Sequence, residues 1–221
     1  MNARARRVLV VSGIAALVLG AVGAFIVIPK IARSRATRLG DIGDGLTRTH
    51  ALVSPDGKRV AQLVHRGKAE LVGNPQKPSL LITSPGGKDF VVLDDKPGKE
   101  YYSINHVTLL FSPDSRRFAY RGENGWALDE GSTQVYVIDG IEGKPYDQVK
   151  GFIFSPDSKR TAYVATKAKK ERVVLDGAEL REYDGISTAK FSFSADGKRL
   201  AYEAYFDGKW SRVEERGEGN R

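Results

Sequence analysis

The sequence predicts an all-β chain: a β-propeller-like array of about four blades, preceded by one transmembrane helix. Three observations predict it. A unit of about ten residues is written four times, as VSPDGKRVAQ (Val53 to Gln62), FSPDSRRFAY (Phe111 to Tyr120), FSPDSKRTAY (Phe154 to Tyr163) and FSFSADGKRLAY (Phe191 to Tyr202). The turn serines Ser54, Ser112, Ser155 and Ser194 recur at a period of roughly 40 residues, the spacing of propeller blades. Val8 to Ile28 is a run of 21 residues without a charge.

Residues 1–7 form a basic tail with Arg4, Arg6 and Arg7. Residues 8–28 then suit a membrane helix, since about 20 helical residues match a hydrocarbon core of ~30 Å. Ser12 is the only polar side chain in the run, whereas a helix of a soluble domain would carry a polar stripe. The segment reads as a signal anchor. The small residues ending at Ala24 also fit export with cleavage near that position. Lys30, Arg33, Arg35 and Arg38 follow the span, so flanking charge barely sets orientation. A short tail before a long domain favours the periplasmic or extracellular side. Ser12, Ala16, Gly20 and Ala24 recur every fourth residue and form a small-residue ridge suited to helix contact in lipid. Residues 29–46 read as a linker, polar and rich in Gly and Asp. Its glycines lack the Gly-Lys-Ser/Thr of a phosphate loop.

The net charge of +8 comes almost entirely from residues 1–38, which hold seven basic residues and no acid. A nucleic-acid domain would place its basic excess on its own folded face, so no nucleic-acid partner is expected. The chain has no cysteine, which excludes disulfides, thiol nucleophiles and Cys-type zinc sites.

Residues 47–221 hold the repeat domain. Ser-Pro-Asp-Gly/Ser is a turn with a mechanism: Pro presets φ, Asp bonds the nearby backbone, and Gly accepts positive φ. Strand-like runs flank each copy, so each is a β-hairpin with its Pro in the turn. The repeat turns are Ser54, Pro55 and Asp56; Ser112, Pro113 and Asp114; Ser155, Pro156 and Asp157; and Ser194 with Asp196. A further strand ending in Asp follows, as in QVYVIDG (Gln134 to Gly140) and ERVVLDG (Glu171 to Gly177). Tyr-containing connectors then lead into the next copy. The first interval is longer, which fits an insertion around Leu71 to Gly87. Blades of this kind cannot bury both faces alone and stack on their neighbours. Phe111, Phe154, Phe193, Tyr120, Tyr163 and Tyr202 are therefore assigned to inter-blade packing.

This string resembles the WD40-like repeat of the Pro-Asp type, found in TolB-type periplasmic propellers and in the propeller domains of prolyl-oligopeptidase relatives. The resemblance covers roughly Leu46 to Glu215, with Ala195 replacing Pro in the last copy and Ala-Gln replacing Ala-Tyr in the first. It implies a cell-envelope interaction role by analogy of fold. Such propellers have six or seven blades. Four units here imply a truncated product, a four-blade ring, an open arc, or a part completed by a partner.

Catalytic chemistry is not expected. There is no Gly-x-Ser-x-Gly, and His50, His65 and His106 lack metal-ligand spacing. The recurring aspartates are assigned to turn chemistry, with a cation-binding ring as the alternative. Trp126 and Trp210 are the candidate binding-surface residues, with a role as blade plugs as the alternative. Ala165 to Arg172 is a basic hairpin tip. No cofactor is expected. The expected function is a membrane-anchored, non-catalytic module binding protein or peptide partners, with self-association as a further expectation. The alternatives are the accessory propeller of a peptidase whose catalytic domain lies elsewhere, and a small-ligand or cation sensor.

Overall fold

The computed structural model describes residues 40–67, 69–74, 77–82, 86–125 and 131–216. The span 8–28, with Ala16, Gly20 and Ala24, lies outside the described residues, as does Trp126. Among the described residues no helix is long and apolar enough to cross a membrane.

The described chain is all-β, in antiparallel meanders. Blade 1 contains β1 (Gly40–Gly43), β2 (Leu46–Val53), β3 (Val60–Arg66), β6 (Lys88–Leu93) and β7 (Lys96–Pro97), hydrogen-bonded in that order. Between β3 and β6 the chain inserts a separate hairpin, β4 (Ala69–Asn74) with β5 (Lys77–Ile82), which overlaps the stretch read as an insertion. Blade 2 contains β8 (Ser103–Ile104) and β9 (Leu110–Phe111), both paired with β10 (Phe118–Glu123), followed by β11 (Gln134–Ile138) and β12 (Ile141–Glu142). Blade 3 contains β13 (Gln148–Phe154), β14 (Thr161–Lys167), β15 (Lys170–Leu175) and β16 (Ala178–Tyr183). Blade 4 contains β17 (Gly185–Phe193), β18 (Arg199–Phe206) and β19 (Lys209–Arg216).

One difference from the sequence reading concerns the linker. Gly40–Gly43, placed within it, forms β1 and pairs with β2. Asp44 and Gly45, at φ of 54° and 69°, make the two-residue turn that returns the chain. The glycine-rich strand has no apolar alternation, which is why it reads as linker in the sequence.

The core lies between blades. Ala61, Leu63 and Val91 of blade 1 bury against Phe111, Phe118 and Tyr120 of blade 2. Tyr136 of blade 2 packs with Tyr163, Ala165 and Val174 of blade 3. Val164, Val173 and Leu175 of blade 3 pack with Phe191, Leu200 and Tyr202 of blade 4. No core cluster joins blade 4 to blade 1 among the described residues. The sheets thus stack in sequence order, each hiding the apolar face its neighbour cannot cover alone.

Candidate functional site

The four repeat turns are structural parts, and their geometry shows why. Each serine hydroxyl donates to the turn carboxylate two residues on, at 2.7 Å from Ser54 to Asp56, 2.6 Å from Ser112 to Asp114, 2.6 Å from Ser155 to Asp157 and 2.5 Å from Ser194 to Asp196. The same carboxylates accept the backbone N–H of Lys58, Arg116, Lys159 and Lys198. These bonds, the serine hydroxyl first, hold all four carboxyls below the usual aspartate range. In each turn both bonds fall on one oxygen, Oδ1, and no group of three or more potential ligands that could hold a metal ion occurs among the described residues. Lacking Pro, the Ser194 turn keeps the same backbone bonds, from Ser194 N–H to the Arg199 carbonyl and from Gly197 N–H to the Ser194 carbonyl.

An arginine five residues after each turn serine does more than the sequence reading assigned to it. Arg117 Nε donates to Asp139 of its own blade at 2.8 Å, Nη1 donates to the Lys159 carbonyl of blade 3 at 2.9 Å, and the guanidinium lies 5.4 Å from the Phe154 ring centre. Arg59 repeats this with Asp94, the Arg116 carbonyl and Phe111. Arg160 repeats it with Asp176, the Lys198 carbonyl and Phe193. Every junction between blades therefore carries one arginine clamp.

Two further devices recur at the junctions. Asp89 accepts from Ile104 N–H, Gln134 from Val149 N–H and Glu171 from Ile186 N–H, each capping the first strand of the following blade. These three acceptors share a register position but no residue type, which hid them in the sequence. The connector tyrosines Tyr101, Tyr146 and Tyr183 meet Tyr120, Tyr163 and Tyr202 edge to face, with centroids 6.1, 6.5 and 6.1 Å apart. Burial pushes the Tyr120 and Tyr163 hydroxyls up to about 12.

The histidines do not converge. His65 Nδ1 lies 2.7 Å from the Asp89 carboxylate in the core, while His50 and His106 stack 3.8 Å apart across the blade 1–2 junction. Burial, and then the His106 charge, lowers the His50 pKa.

Exposed apolar side chains gather where the repeat is irregular. The first strand of blade 2 is broken between β8 and β9 by a short 3-10 turn, His106–Thr108, capped by the Asn105 side chain. The break turns Val107 outward at 72 % exposure and Leu110 at 39 %. With Thr108, Tyr136, Gly151 and Phe152 they line an open cleft of about 250 Å³ between blades 2 and 3. Thr108 Oγ1 already donates to the Asn105 carbonyl and accepts from Arg121 N–H, so the cleft offers mainly apolar and aromatic surface. No residue pattern in the sequence pointed to Val107 or Leu110. Trp210 is 55 % exposed on blade 4, with its ring centre 5.4 Å from that of Tyr205.

No protein-family model matches the chain, and no curated protein matches it. Solved structures do. Prolyl oligopeptidase B from Galerina marginata, bound to a hydrolysis and macrocyclization substrate, is similar at 15 % identity and a TM-score of 0.39, over 77 % of this chain and 27 % of its own. TolB from Acinetobacter baumannii is similar at 14 % and 0.38, over 76 % and 41 %. The β-propeller domain of the trilobed protease from Pyrococcus furiosus, described as having an open velcro topology, is similar at 10 % and 0.39, over 76 % and 58 %. The chain spans between about a quarter and three fifths of these proteins' lengths. Likenesses of this extent decide nothing further about it, and its propeller-like architecture rests on its own strand register and repeated junctions.

Proposed function

We propose that this protein is a non-catalytic, membrane-tethered propeller-like module that binds a protein or peptide partner at the cell envelope. The observation that carries the reading is the cleft between blades 2 and 3. Exposed Val107 and Leu110 stand beside Tyr136 and Phe152 on a scaffold clamped at every junction. Solvent-facing apolar side chains grouped beside aromatic rings suit an apolar side chain of a polypeptide. The tether rests on the charge-free run of residues 8–28, and the envelope address on the resemblance of the repeat to TolB-type propellers.

The test places a photo-crosslinking amino acid at Val107 in the full chain within its native membranes. Expected is one stoichiometric crosslinked polypeptide, lost when Leu110→Asp is added, with no product from the same probe at Lys159 on the turn rim. Alkaline extraction should leave the chain in the membrane pellet. Equal labelling from both probes would sink the recognition reading, and release by alkali would sink the tether.

A further inference from the structure

Among the described residues, blade 4 has an unpaired sheet edge. β19 pairs with β18 along its whole length, from Arg199 opposite Arg216 to Phe206 opposite Lys209, and no strand pairs its other edge among the described residues. Blades 1 to 3 close that edge with β7, β12 and β16.

The direction of the free backbone groups follows from the hairpin. Asp207 and Gly208 form a two-residue turn at φ of 51° and 74°, so Phe206 and Lys209 form its hydrogen-bonded closing pair. Lys209, Ser211, Val213 and Glu215 then direct their backbone groups to β18. Trp210, Arg212, Glu214 and Arg216 direct theirs outward. The Tyr205 carbonyl, opposite Trp210, accepts from Asp184 N–H on the far side, which agrees. Those four outward-bonding residues also share one face of the sheet.

We propose that this edge pairs with β19 of a second copy of the chain, antiparallel, about a two-fold axis through Val213. In that register Arg212 faces Glu214 of the second copy and Trp210 faces Arg216, and each contact occurs twice by symmetry. Charge selects the register. Moving the axis to residue 212 sets Arg212 against itself. Moving it to residue 214 sets Glu214 against itself and Arg212 against Arg216. Like charges directly opposite are destabilising and opposite charges stabilising. Arg212 and Glu214 already meet on this face at 2.9 Å within one copy, and Lys190 meets Glu203 at 2.6 Å beside them. Pairing would extend this into an unbroken row of alternating charge, Lys190, Glu203, Arg212 and then Glu214 of the second copy. Tethering two copies to one membrane would raise their effective concentration.

The chain has no cysteine, so a single introduced thiol reports the register without competition. Val213 occupies a non-hydrogen-bonded pair with its own copy, where Cα atoms lie about 4.5 Å apart, within disulfide reach. The full chain in detergent, carrying Val213→Cys, is treated with a mild oxidant. Expected is a covalent dimer forming about tenfold faster than with Ser211→Cys or Glu215→Cys, whose thiols do not meet themselves. Arg212→Glu added to Val213→Cys should slow it about tenfold, and Glu214→Arg added to that should restore it. Equal rates at the three positions, or indifference to the charge reversal, would overturn the proposal. Slow hydrogen exchange at the Arg212 and Glu214 amides in a monomeric sample, lost on deleting residues 217–221, would also overturn it by showing the edge filled by the chain itself. The edge lies on blade 4, away from the blade 2–3 cleft, so this result is read independently of partner capture at Val107.

Discussion

Replacing Arg117 with alanine removes one whole clamp between blades 2 and 3. Its side chain is 28 % exposed and that of Asp139 37 %, so solvent screens their ion pair, which contributes only about 0.5 kcal/mol. The 2.9 Å bond to the Lys159 carbonyl is charge-assisted and contributes about 1.5 kcal/mol. Its position over Phe154 adds about 0.5 kcal/mol. The sum, about 2.5 kcal/mol, corresponds to a fall in unfolding midpoint of about 5–10 °C for a domain of this size. Arg199 occupies the same place in its repeat but has no following blade to clamp among the described residues. Its nearest carboxylate, Glu214, is 3.9 Å away and its side chain is 53 % exposed. Arg199→Ala should therefore shift the midpoint by less than about 2 °C. Arg117→Lys should recover less than half the loss, because an ammonium cannot reach Asp139 and the Lys159 carbonyl as a fork does. Thermal unfolding of the full chain in detergent, followed by far-ultraviolet circular dichroism, measures all three. Equal losses from Arg117→Ala and Arg199→Ala would refute the clamp, because they would show that the arginine acts within its own blade.

Two other outcomes are expected. The Glu179 carboxyl is held at about 2, below its ordinary 4.5, by the Tyr146 hydroxyl first and then by Lys144 and Arg172. The folded chain therefore binds fewer protons than the unfolded one between these values, and this contribution is present above pH 4.5 and lost as pH falls toward 2. Glu179→Gln should flatten that part of the acid stability profile, as read by urea midpoints at stepped pH. Gly151 has φ of +66°, and a Cβ there would lie 2.7 Å from Thr188 Cγ2 of blade 4. Gly151→Ala should cost about 1–3 kcal/mol by urea unfolding, and adding Thr188→Ser should recover only the steric part, leaving the left-handed strain.

The parts of the fold legible in sequence were those made by local chemistry. Ser-Pro-Asp-Gly/Ser specifies its own turn, so the four hairpins could be placed from ten residues each. Tyr120, Tyr163 and Tyr202 repeat an aromatic, and aromatics repeated at a blade period pack between blades. Arg59, Arg117 and Arg160 were equally visible as a repeat, but their role needs carbonyls on the following blade. Asp89, Gln134 and Glu171 do one job with three residue types, which only strand register reveals. The cleft was hidden for a related reason. Asn105 breaks a strand locally, and nothing in the surrounding residues says that the break turns Val107 and Leu110 outward.

Several departures from the repeat in the first and fourth blades fall on faces that meet no neighbouring blade among the described residues. Each middle blade offers its predecessor an aromatic before the turn, a tyrosine after it and a serine within it. Ser115 and Ser158 hold φ of 67° and 64°, a conformation that favours glycine, and their hydroxyls accept the N–H of Asp56 and Asp114 on the preceding blade. Blade 1 has Val53, Gln62 and Gly57 at these positions, and it stacks on no earlier blade among the described residues. Each of blades 1 to 3 offers its successor an apolar residue opposite the repeat alanine, Leu93, Ile138 or Leu175, and a side-chain oxygen that accepts a backbone N–H. Blade 4 has Glu214 and Trp210 there. Its outward face is charged, and blade 1 lacks the aromatic and the tyrosine with which blades 2 to 4 receive a neighbour. Among the described residues, neither end of the array therefore carries the full set of devices that join one blade to the next. The pairing proposed for blade 4 uses its edge instead, where the outward-bonding residues of β19 alternate in charge.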